Sequence, residues 1–177
     1  MRSVSILCNI VTRIAVTFAF VFSIAHAEEK CAVQTESLIV AGESMLELFK
    51  PGTSLQVQKG WYACHVAERG DVAIIQMAYR PRPIVKLIQV LPGDRFHLIA
   101  LGEGYQLTVN NDVLKTPHGS PYLFKGQAYR MLALYEESFH GLMPAETYFV
   151  FGTVAGGSFD STRFGPVKVD QLTGRVR

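Results

Sequence analysis

Between residues 37 and 151 the hydrophobic positions fall in short runs: 37–41, 54–57, 72–77, 84–90, 95–101, 105–109 and 148–151. Most are rich in Val, Ile, Phe and Tyr and end at Gly, Pro, Asn or Asp, which is the composition and punctuation of strands. Turn signals stand at Lys59-Gly60, Arg69-Gly70-Asp71, Pro92-Gly93-Asp94 and Asn110-Asn111-Asp112, the last joining 105–109 to Val113-Leu114 as a hairpin. The pattern predicts a mainly β protein. Helical periodicity is scarce: 43–49 has room for one or two turns, and 129–137 for another before Gly141 and Pro144 interrupt it. Residues 116–126 carry Pro117, Gly119, Pro121 and Gly126 and are expected to form a surface loop or small flap.

The N-terminal apolar run is of another kind. Arg2 and Arg13 precede an apolar stretch over 14–24 that closes with Ala25-His26-Ala27 before Glu28-Glu29-Lys30, the layout of a secretory signal peptide. The alternative is an uncleaved membrane anchor over residues 4–25, which would hold Asn9 and Arg13 in hydrocarbon; a mid-bilayer Arg costs about 2.5–3.5 kcal/mol. Under both readings residues 1–27 are a signal peptide or anchor, and 28–177 form a single catalytic or binding domain outside the cytoplasm, periplasmic or anchored to the inner membrane. Membrane proximity follows.

Composition narrows the function classes. With 49% apolar and 18% charged residues the chain is a folded protein, and a formal charge of +2 without a basic run or aromatic-interleaved Lys/Arg patch excludes nucleic acid as the expected partner. Cys8 belongs to the leader, so the body holds Cys31 and Cys64, either a disulfide in an oxidising compartment or two free thiols. The five histidines show no ligand spacing and no Cys/His cluster is present, so neither a metal nor a cofactor is expected.

Three segments carry candidate chemistry. Gly42-Glu43-Ser44-Met45 follows the apolar run 38–41, so a strand delivers a serine to a tight turn or a first helical turn, whose unpaired N–H groups are available to an oxyanion. The bland alternative is that Ser44 caps a short helix, because Glu47 three residues on completes a capping box. Lys86 lies inside the apolar run 84–90. A desolvated lysine loses its proton more readily and serves as a general base for a serine hydroxyl; a lysine on the solvated face of a strand does neither. Residues 152–167 form a small-residue loop with Ser158, Asp160, Ser161 and Arg163, in which Asp160 either orients a neighbouring amine or makes a local turn or ion pair.

Taken in order, these segments resemble the boxes of type I signal peptidases. Gly42-Glu43-Ser44-Met45 resembles the nucleophile box, Arg69-Gly70-Asp71-Val72-Ala73-Ile74-Ile75 a conserved strand, Val85-Lys86 through Leu91-Pro92-Gly93-Asp94 the lysine box, and Ser158-Phe159-Asp160-Ser161 through Phe164-Gly165-Pro166-Val167 the final box. The short length and the wording of the last box are most similar to the conjugative-transfer (TraF-like) branch, whose members process a pilin. The chain departs from the family pattern at Glu47, Leu48, Leu87, the stretch Thr153-Val154-Ala155 and Thr162.

The resemblance implies a coiled antiparallel β-sheet body with Ser44 as nucleophile and Lys86 as general base. It further implies that Ser158 holds the lysine amine, that Asp160 supports it, and that the Ser44 N–H serves as an oxyanion donor. The implied partner is an exported precursor or pilin-type protein bound as an added strand along 37–41 and 82–85. Ile39, Ala41, Gly42, Met45, Ile84 and Val85 would contact it and small side chains would be read before the cut. The alternative is a catalytically inert secreted β-domain that binds a peptide or assembly partner; what separates the two is whether Lys86 reaches Ser44.

Overall fold

The computed structural model describes residues 31–154 and 158–177. The leader expected over 1–27 and the domain start at 28 lie outside the described residues. Among the described residues there are ten strands: β1 Gln34–Ile39, β2 Ser54–Lys59, β3 Val72–Ile75, β4 Ile84–Val90, β5 Phe96–Leu101, β6 Gly104–Val109, β7 Asp112–Val113, β8 Thr147–Phe151, β9 Val167–Lys168 and β10 Leu172–Val176. The helices are α1 Gly126–Ser138 and the single turn α2 Ser161–Phe164, beside two short 3-10 turns. Seven strands form one sheet in the order β1-β2-β10-β3-β4-β8-β9, and β5-β6-β7 form a second, with antiparallel pairing throughout. The mainly β class is therefore as the apolar pattern predicts.

β8 is buried along its whole length, and its alternation feeds two cores. Phe149 and Phe151 join Phe96, Leu107, Phe124 and Leu132 between the small sheet and α1, whereas Tyr148 and Val150 join Ile75, Ile88, Val167 and Leu172. A third cluster, Val40, Leu55, Val57 and Ile74, lies under the end of β1. The two turn boxes hold the sheets in register: the Arg69 guanidinium donates to both carboxylate oxygens of Asp94 at 2.9 and 2.8 Å, and Asn110 Nδ2 donates to the same group at 2.7 Å.

Residues 43–49 make the short turn expected of them, closed by Leu48 N–H and Phe49 N–H donating to the Met45 carbonyl, and do not continue into a longer helix. One boundary is corrected. α1 begins three residues before the expected 129, at a glycine with no side-chain cap, so no N-cap residue announced it. Residues 116–126 form the expected surface loop, held down at two aromatic side chains. Tyr122 and Phe124 point into the core, and Phe124 exchanges two backbone hydrogen bonds with Tyr105.

Candidate active site

β1 runs into the turn at Gly42-Glu43-Ser44-Met45, and the buried Val40 and Met45 pin that turn at both ends. Ser44 is half-buried between them. From the opposite side comes β4. Alternation places Lys86 on the same face as Ile84 and Ile88, opposite the small Ala73 on β3, while Val85 turns to the cluster under β1. Lys86 is only 3% exposed, and its Nζ lies 2.5 Å from Ser44 Oγ and 3.0 Å from the Val85 carbonyl oxygen.

Burial pushes the Lys86 amine down to about 8 from its ordinary 10.5; attraction to Asp160 works against that shift, and repulsion from Arg80 adds to it. At pH 8 about half of the molecules therefore carry a neutral amine, able to accept a proton.

Ser44 does not close a capping box. In a capping box the serine hydroxyl would accept from the Glu47 N–H. Here that N–H donates to Thr153 Oγ1 at 3.1 Å, and the Thr153 N–H donates to the Ser44 carbonyl at 2.8 Å. The fully buried Thr153 takes over the capping role and leaves the Ser44 hydroxyl to Lys86. In the sequence Thr153 stands out only as a departure from the family pattern. Gly152 carries no sequence signal of its role: a Cβ there would lie 2.5 Å from both the Ser44 carbonyl oxygen and Ser158 Oγ, so only glycine lets the two segments meet. No acceptor among the described residues takes the Ser44 N–H.

Asp160 is buried and saturated. Oδ2 accepts from the Gly152 N–H at 3.1 Å and from the Ser158 hydroxyl, and Oδ1 accepts from the Thr162 N–H and hydroxyl at 3.0 and 2.7 Å, capping α2. Ser158 thus bonds to Asp160, and no hydrogen bond joins it to Lys86 among the described residues, unlike the role the resemblance implies. Arg163 pairs with Gln127 at 2.7 Å instead of with Asp160. Ile39, Ala41, Gly42, Met45, Ile84 and Val85 all line one open cleft of about 630 Å³ with Ser44 and Lys86. Its walls are unpaired edges: β1 has a neighbour on one side only, and β4 pairs with β8 only from Leu87 onward.

A serine hydroxyl thus lies against a desolvated amine at the foot of an open strand-edged cleft. The family described as Signal peptidase, peptidase S26 matches residues 9–177. The chain belongs to this family. It is similar to Signal peptidase I of Bacillus caldolyticus, at 32% identity over 141 residues, which covers 78% of this chain and 75% of that protein. Membership of the S26 family makes the chain a serine peptidase and sets aside the inert binding domain. Among the described residues of this S26 peptidase no helix is long and apolar enough to cross a membrane. Cys31 and Cys64 are joined as a disulfide with Cα atoms 5.8 Å apart, fastening the start of β1 to the turn after Trp61.

Proposed function

We propose that this S26 peptidase cleaves leader or pro-segments from exported proteins with Ser44 as nucleophile and Lys86 as its base. The observation that carries the reading is the 2.5 Å approach of a buried, depressed amine to the serine hydroxyl. The neutral amine takes the hydroxyl proton as Oγ bonds to the scissile carbonyl carbon, and the resulting oxyanion is met by the Ser44 N–H. The ammonium then protonates the leaving amine nitrogen as the C–N bond breaks. Water, deprotonated by the same amine, releases the acyl group and restores the serine.

The substrate enters as an extended strand between the free edges of β1 and β4, where main-chain hydrogen bonds give affinity and the shallow apolar lining accepts small side chains at the first and third positions before the cut. We assign the enzyme to dedicated processing of a conjugation or secretion substrate of the pilin type, as in the conjugative-transfer branch, working at the periplasmic face of the inner membrane. The wording of the last box supports this finer reading. The test is processing of a panel of secreted and pilin precursors by wild type, Ser44→Ala and Lys86→Met at matched folded amounts. Loss with both variants is expected, by about a thousandfold. Equal processing by the variants would refute the assignment, and the panel member that is cut identifies the substrate class.

A further inference from the structure

The cleft is lopsided in charge. Arg80, Arg82 and Lys86 line it, and no carboxylate does. Asp160, buried nearby, spends both oxygens on four donors of its own loop. Neither Arg80 nor Arg82 makes an ion pair among the described residues, although Arg69 and Arg175 elsewhere in the domain each hold a carboxylate.

Arg80 is the better built of the two. Its backbone is fixed by its N–H donating to the Met77 carbonyl at 3.0 Å and by Gln76 Nε2 donating to its own carbonyl at 2.6 Å. Its guanidinium carbon lies 4.4 Å from the centre of the Phe159 ring, and Phe159, 40% exposed, also lines the cleft. Nε is buried without a hydrogen-bond partner among the described residues. A buried, unpaired guanidinium nitrogen is costly and rare in native structures. A planar donor fork held against an aromatic face is the form in which arginine recognises carboxylates.

We propose that Arg80 is a specificity residue that binds a carboxylate of the substrate, an Asp or Glu side chain on the leader side of the cut. This rests on the placement of the leader segment in the cleft proposed above. The experiment uses fluorogenic leader peptides with small residues at the first and third positions before the cut. Glu and Gln are exchanged in turn at each of positions two to six, omitting position three. At one position wild type is expected to prefer Glu by about tenfold in kcat/KM, mostly through KM, as a charge-assisted hydrogen bond implies. In Arg80→Gln that ratio falls to about one, and in Arg80→Lys part of it returns. Anisotropy of the same labelled peptides on the Ser44→Ala protein reports the preference without catalysis, so a failure of the nucleophile assignment shows separately, as cleavage surviving in Ser44→Ala. A ratio of one at every position in wild type, or a preference that persists in Arg80→Gln, overturns the proposal. So does an Arg80→Gln variant whose only change is in the pH dependence of cleavage, because Arg80 would then act through Lys86 alone.

Discussion

At the scale of single residues the domain trades stability for a reactive amine. The folded-state pKa of Lys86 is depressed from 10.5 to about 8, so between those values the unfolded chain binds more protons than the folded one. Stability contributed by this group therefore rises as pH goes from 8 to 10.5, and below 8 the full penalty of burying the charge applies. Lys86→Met should be inactive yet more stable at pH 7 by about 2–3 kcal/mol, with the gain shrinking above pH 8; urea unfolding of both proteins across that range measures it. Thr153 offers a second test. Thr153→Val removes the acceptor of the Glu47 N–H, freeing that donor to capture the Ser44 hydroxyl, whereas Thr153→Ser keeps it. The valine variant should lose kcat by about tenfold or more and the serine variant should recover most of it; equal rates would show that Thr153 does not govern Ser44. Gly152→Ala should cost both activity and about 1–3 kcal/mol of stability, because its methyl group collides with the Ser44 carbonyl and Ser158.

At the scale of elements, the strands and the site were legible to different degrees. β4 falls where its apolar run predicts, and β2, β3, β5, β6 and β8 begin or end within two residues of theirs. β10 was invisible because Thr173, Gly174 and Arg175 break the apolar pattern, although it lies between β2 and β3 in the centre of the sheet. Gly174 explains the disguise: a Cβ there would meet Val57 Cγ1 at 2.9 Å and the Gln58 carbonyl oxygen at 3.1 Å, and the register with β3 shifts beside it. Gly174→Ala is expected to lower stability by about 1–3 kcal/mol in urea unfolding while leaving the Ser44–Lys86 contact in place. Ser44 and Lys86 could be singled out because four boxes stand in the order of the family pattern; alone, Ser44 after the run 38–41 also fits a helix cap and Lys86 within 84–90 also fits a solvated strand face. Thr153 and Gly152 could not be singled out, since their work depends on a contact between segments more than a hundred residues apart. The aromatic pair Tyr122 and Phe124 was hidden by the prolines and glycines around it, which mark turns whether or not the residues between them are buried.

At the scale of the whole molecule, the turn that carries Ser44 is held by three separate parts of the chain: β4, the segment after β8, and the 116–126 stretch, whose His118 N–H donates to Glu47 at 3.0 Å. The Cys31–Cys64 disulfide, spanning 33 residues, secures the β1 edge on which the cleft depends. Replacing both cysteines with serine should cost about 3–4 kcal/mol in urea unfolding, and a mature protein with two titratable thiols would contradict the bond. The central claim, that the Lys86 amine is the base for Ser44, is tested most directly by setting the pH profile of kcat/KM beside the titration of Lys86 itself, followed by NMR of its labelled Cε in the resting enzyme. The account predicts that activity rises with pH along a limb centred at about 8 and that Lys86 titrates at the same value. A Lys86 that titrates at 10.5 while activity is already complete by pH 8 would contradict it.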